Sequence, residues 1–101
     1  MVTLTVTRSR IGRIVDDAAN LLEAEGWDPH QNPITDAIDR AADFVPGRSS
    51  VDAEQATIEA WNALVDHLGG QSVTKWERDP RRTQMQVLHA LRSAAKTVSH
   101  P

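Results

Sequence analysis

Lys75, Trp76, Arg78, Arg81 and Arg82 fall within eight residues, and His89, Arg92 and Lys96 follow at three- and four-residue steps on the next helical pattern. Guanidinium groups hold carboxylate or phosphate through paired hydrogen bonds, and an indole adds a stacking face. This is the set of side chains best suited to bind an anionic partner. Three fates are open to it. Arg78, Arg81 and Arg82 can pair with carboxylates of the same chain while Trp76 fills the core beside them, and this is the favoured expectation. A protein partner comes second and nucleic acid third. A helix-turn-helix reader joins its two helices by a turn of about three or four residues, and the gap before the last helix is far longer.

The remaining chemistry is thin. Asp36, Asp39 and Asp43 are spaced along one helix, with Arg40 able to pair with Asp36 at i,i+4. Hard cations draw oxygen ligands from a loop with a sharp Gly turn, which is missing here, so a solvated face is expected. His30, His67, His89 and His100 form no H-x-x-x-H or HExxH pair, and no metal site is expected. Ser49 and Ser50 follow Pro46-Gly47-Arg48 without a nucleophile elbow or phosphate loop, so they read as turn and cap residues. The chain has no cysteine, which excludes disulfide scaffolds, thiolate zinc sites and cysteine nucleophiles. No cofactor and no enzymatic activity are expected.

Charge is divided along the chain. Residues 14–66 carry 12 of the 14 carboxylates against Arg40 and Arg48 alone, whereas Arg8, Arg10 and Arg13 precede them and six further cations follow. Such segregation suggests either ends folding onto an acidic middle or a basic surface meant for a partner. No window reaches the roughly 20 apolar residues of a membrane helix, and no signal peptide is visible. A soluble cytoplasmic protein is the expectation.

Four helices must position these groups. Ile11, Ile14, Val15, Ala18, Leu21 and Leu22 make one stripe of a helix from Ser9 or Arg10 to Glu25, closed by Gly26, with Trp27 folding back on Leu22. Asn32 as N-cap and Pro33 at the first turn start a second helix that should run to Val45, before Pro46. The third starts near Asp52, capped with Gln55, and ends at Gly69-Gly70. Its apolar positions span half the wheel, which marks it as the central and most buried helix. Thr83 and Gln86 form a capping box for the fourth. A short turn at Val73–Glu77 and a weak strand at Ser72-Val73-Thr74 are the candidates in between. Val2-Thr3-Leu4-Thr5-Val6-Thr7 alternates with period two and has no partner strand, so residues 1–8 are expected to form an extended arm. A monomer is favoured; pairing of two arms across a dimer axis is the alternative.

Ala18-Ala19-Asn20-Leu21-Leu22-Glu23-Ala24-Glu25-Gly26-Trp27, then Ala37-Ile38-Asp39-Arg40-Ala41-Ala42, and finally the stretch from Trp76-Glu77-Arg78-Asp79-Pro80-Arg81-Arg82-Thr83 to Leu91 resemble an uncharacterised family of small helical actinobacterial and actinophage domains. The resemblance covers roughly residues 11–96. It implies an all-helical fold and a mobile-element or actinobacterial setting, and it transfers no functional residue. Many members carry a Trp-Cys pair in the third helix, where this chain has Trp61-Asn62. The reading is therefore an all-α, compact four-helix domain over residues 9–98, with a short extended N-terminal arm. Its expected role is that of a non-enzymatic interaction module contacting a protein partner through Trp76, Arg78, Arg81, Arg82, His89, Arg92 and Lys96. The alternative role is a nucleic-acid accessory of a mobile element.

Overall fold

The stripe of β-branched and small residues in the first amphipathic segment folds as helix α1, Arg8–Glu25, and buries Ile11, Gly12, Ile14, Val15, Ala18, Ala19 and Leu22. The computed structural model describes residues 7–99. Four further helices follow: α2 (Ile34–Ala41), α3 (Val51–His67), α4 (Val73–Glu77) and α5 (Gln84–Ser99). Among the described residues there is no strand, and the expected all-α fold of four longer helices is present, with α4 as a short fifth. The predicted arm over 1–8 is shortened at its end, because Thr7 caps α1 through its Oγ1 and Arg8 is already helical. The rest of the arm lies outside the described residues.

The core is organised around α1, which packs most extensively on α5 and then on α2. Alanine and glycine make this possible. Gly12 meets the C-terminal end of α5, where a Cβ would press into Ser99 Oγ and stand 3.0 Å from the Ala95 carbonyl oxygen. Ala18 and Ala19 on α1 and Ala90, Ala94 and Ala95 on α5 are all buried. Small side chains let two helix axes approach near the short end of the roughly 8–10 Å range.

That arrangement corrects the expectation for the third helix. α3 buries Ala53, Ala56, Thr57, Ala60 and Leu64, whereas Trp61, Val65 and Leu68 are only partly covered and Ile58 is 44% exposed. Its inward residues are mostly small, so it closes the side of the α1/α5 pair without entering the middle. The central place goes to the helix with the narrower but bulkier stripe.

Several boundaries also shift for local reasons. Pro33 is the N-cap of α2 and Asn32 does not cap it; the Asn32 side chain instead donates to the Gly26 carbonyl and contacts Glu25. Asp43 adopts φ 59° after α2, where Asp43 N–H bonds to Arg40 O and Phe44 N–H to Asp39 O. This is a Schellman ending with aspartate in the left-handed position. It stops α2 before Pro46 comes into play. Ser50, and not Asp52, caps α3 through a bond from Ala53 N–H. Gly69 and Gly70, both with positive φ, end α3 as expected. The Thr83–Gln86 capping box is formed reciprocally, at 3.1 and 3.2 Å. Ser72-Val73-Thr74 is no strand: Ser72 caps α4 and Val73 begins it.

Candidate interaction surface

The basic segment is carried by α4 and the loop to α5. Apolar burial of Val73 and polar burial of Glu77 anchor α4, with 2% and 4% of their surfaces exposed. Glu77 Oε2 accepts from the Trp27 indole Nε1 and from the Ile34 backbone N–H at the start of α2. With α4 held on that side, Lys75 and Arg78 point into solvent while Trp76 rests against the core. The Asp79-Pro80-Arg81-Arg82 turn is closed by Asp79, whose Oδ1 accepts from Arg81 N–H and whose carbonyl accepts from Arg82 N–H, both at 2.9 Å.

Arg81 and Arg82 then part ways. The Arg82 guanidinium lies 4.0 Å from the centre of the Trp76 ring, and its Nε donates to the Trp76 carbonyl at 2.9 Å. Cation–π contact and hydrogen bond together fix it in one orientation. The Arg81 side chain is 92% exposed, and its one ion pair among the described residues is with Asp79 of its own turn, at 3.8 Å. Neither arginine, nor Arg78, reaches a carboxylate of the middle helices. The expected internal pairing of this segment is therefore replaced by a local platform, Trp76 with Arg82, flanked by Lys75, Arg78 and Arg81, which make no ion pair with the middle helices among the described residues.

The acidic middle is partly neutralised from elsewhere. Arg10 grips Asp52 with two bonds of 3.0 and 2.8 Å, which ties α1 to the start of α3. Hydrogen bonding from that guanidinium holds the Asp52 carboxyl below its ordinary range and raises Arg10. Arg40 bonds Glu25 at 2.8 Å and contacts Asn32, lowering the Glu25 carboxyl in the same way. Asp28 is lowered by the backbone N–H groups of Gln31 and His30, which it accepts in its turn. The predicted Arg40–Asp36 pair thus gives way to a longer-range one.

Arg92 reaches Glu23 at 3.3 Å and Asn20 at 3.2 Å, so this cation does fold onto the acidic middle, bridging α5 to α1. His89 and Lys96 remain exposed on the same face of α5. Met85, His89, Arg92 and Lys96 line one shallow groove; Arg92 and Lys96 also line a second between α1 and α5, of about 510 Å³, shared with Arg13 and Asp16. The structure thus extends the predicted cationic face by Arg13, which lies far away in the chain and is recognisable only once α1 and α5 are packed. His30 sits in its turn and His67 ends α3, apart from one another; His100 lies outside the described residues. No group of three His, Asp or Glu side chains able to hold a metal occurs among the described residues. Asp39 is more than a solvated carboxylate, because it accepts the Thr57 hydroxyl at 2.6 Å.

These features define a small all-α domain with a cationic surface built on a short helix and the loop behind it. A family model matches residues 6–97, and the chain belongs to that family, a family of unknown function (DUF6197). The match bears out the uncharacterised family anticipated from the Trp27 and Trp76–Leu91 stretches, and it carries no activity. No curated protein and no solved structure matches the chain significantly. No helix among the described residues is long and apolar enough to cross a membrane.

Proposed function

We propose that the protein is a non-catalytic interaction module that receives an acidic segment of a partner protein on Lys75, Arg78, Arg81 and the Arg82–Trp76 platform, continued by His89, Arg92 and Lys96. The observation that carries this reading is the exposure of Arg81, whose charge is left outside every long-range ion pair among the described residues. A guanidinium so placed binds carboxylates at little cost in desolvation, and the fixed Arg82 beside it supplies orientation. An intracellular setting, in an actinobacterium or its phage, belongs to the same proposal.

The nucleic-acid reading is weaker. α4 has only five residues, and one face of Trp76 is occupied by Arg82 where a base would stack. Affinity capture from native lysate with the wild type and with the Arg78→Glu/Arg81→Glu variant tests the proposal. The variant should keep its helical circular dichroism and lose the captured protein. Retention of that protein by the variant would sink the proposal. Binding of duplex DNA at low salt that falls steeply as salt is added would move the function to nucleic acid.

A further inference from the structure

The cover that α3 fails to receive from the core leaves a second surface, lined by none of the basic residues of the loop or of α5. Thr35, Ile38 and Asp39 of α2 face Thr57, Ile58 and Trp61 of α3 across a cleft of about 270 Å³. Ile38 is buried at its floor; Ile58, at 44% exposure, and the partly covered Trp61 form its apolar wall. Ligand pockets for small molecules run to roughly 300–1,000 Å³, so this cleft suits an anchoring side chain better than a free metabolite.

The charged residue in its lining is acidic. Asp39 lies in the cleft, with Oδ1 accepting from Thr57 and no bond to Oδ2 among the described residues. Glu54 stands one helical turn before Ile58, and Asp36 precedes Asp39 by three residues. The nearest cation in sequence, Arg40, is held by Glu25 and Asn32. No lysine or arginine lines the cleft. An apolar slot between two helices with a carboxylate, Asp39, in its lining complements an amphipathic helix that carries a basic residue beside its apolar anchor, the geometry by which helical segments seat anchors in a groove.

We infer that the α2/α3 cleft docks a basic amphipathic helix of a partner protein, with an aliphatic side chain on Ile38, Ile58 and Trp61 and a lysine or arginine on Asp39. This surface is separate from the basic loop and does not depend on the function proposed for it.

The test titrates the isotope-labelled full chain with an amphipathic model helix of leucine and lysine, and with the same helix carrying glutamate or glutamine for lysine. Saturable NMR shifts should centre on Thr35, Ile38, Asp39, Ile58 and the Trp61 indole. Ile58→Lys, at an exposed position, should keep the fold and weaken the lysine helix roughly tenfold or more, as loss of a central anchor does. Asp39→Asn keeps an oxygen for Thr57 and should weaken the lysine helix more than the glutamine helix. Equal binding of the glutamate helix, shifts centred on the basic loop, or indifference to Ile58→Lys would each overturn the inference. So would a molecular mass that rises with concentration and falls back in Ile58→Lys, since a second copy would then be the occupant.

Discussion

Trp27 and Glu77, separated by 50 residues, are joined by a 2.8 Å hydrogen bond from the indole Nε1 to Oε2. The same oxygen accepts the Ile34 N–H at 2.7 Å, so one buried carboxylate ties the end of α1 to the start of α2. Pro33, the N-cap of α2, offers no side-chain acceptor, and Glu77 supplies one from α4. Trp27 also donates its backbone N–H to Gln84 Oε1 at 2.8 Å, at the first residue of α5. The tryptophan that follows the first helix is thus the joint on which α4 and the start of α5 are set, and through them the basic loop.

Removing that acceptor should cost more than its single side chain suggests. Glu77→Ala strands two donors, and the expected loss is about 3 kcal/mol; Glu77→Gln keeps an accepting oxygen and should lose about 1 kcal/mol. Urea unfolding of the two variants checks the order. An alanine variant within about 0.5 kcal/mol of wild type, the range of an unremarkable surface change, would remove Glu77 from the role of cap.

Gly12 should tolerate no side chain without parting α1 from α5. Replacing glycine by alanine inside a helix gains about 1 kcal/mol of propensity. The new Cβ, however, meets the Ala95 carbonyl, a backbone atom that cannot turn away as Ser99 Oγ can. Overpacking of this kind costs about 1–3 kcal/mol. Gly12→Ala should therefore be slightly destabilised and Gly12→Val clearly so, with each 1 kcal/mol read as a fall in Tm of roughly 4–8 °C. A Gly12→Val protein melting at the wild-type temperature would contradict the close approach.

The Arg10–Asp52 pair carries a pH signature. Hydrogen bonding to Arg10 depresses the folded-state pKa of Asp52, so its stabilisation is present above the unfolded pKa and is lost as pH falls through the folded one. The Asp52 side-chain carboxyl carbon, followed by NMR, should titrate at lower pH in wild type than in Arg10→Gln. Because both side chains are partly exposed, at 37% and 46%, added salt should narrow the difference. Identical titrations in the two proteins would mean that the pair does not persist in solution.

Local signals in the chain were the legible ones. Gly69-Gly70 and the Thr83–Gln86 box act within a few residues, and each does what its type demands. Gly26 ends α1 at φ 90° and ψ 124°, outside the left-handed helical region, and the Trp27 N–H goes to Gln84 Oε1, so the Schellman ending that Trp27 folding back on Leu22 would complete is not made. The failures are cases where one local device outcompeted another or a distant group intervened. Ser50, already readable as a turn and cap residue, takes the cap of α3 because the helix begins at Val51; Asp52 falls inside its first turn and is bonded by Arg10, 42 residues away. α3 has the widest apolar face, yet burial went to α1, since the close packing of Gly12, Ala18 and Ala19 against α5 is a property of two helices together. The residues of the candidate surface were visible as a cluster; which of them would be spent internally was not. No role for Glu77 was legible, because nothing near it in the chain shows that Trp27 and Ile34 need its carboxylate.

Adjacent arginines give the sharpest separation of scaffold from contact. Arg82 is committed: its guanidinium stacks on Trp76 and bonds the Trp76 carbonyl, so Arg82→Lys forfeits a planar group that an ammonium cannot replace. The expected cost is about 0.5–1 kcal/mol, the range of an exposed cation–π contact, with a change in tryptophan fluorescence. Arg81 has no such ties beyond its own turn, and Arg81→Lys should unfold within about 0.5 kcal/mol of wild type. For binding the order should reverse in kind. Arg81→Glu should abolish capture of the partner while leaving the fold intact, whereas Arg82→Lys, which keeps the charge and loses the orientation, should weaken it by a smaller factor. Equal effects of the two on stability would mean that Trp76 and Arg82 do not form a platform in solution, and the reading of Arg81 as the presented charge would lose its frame.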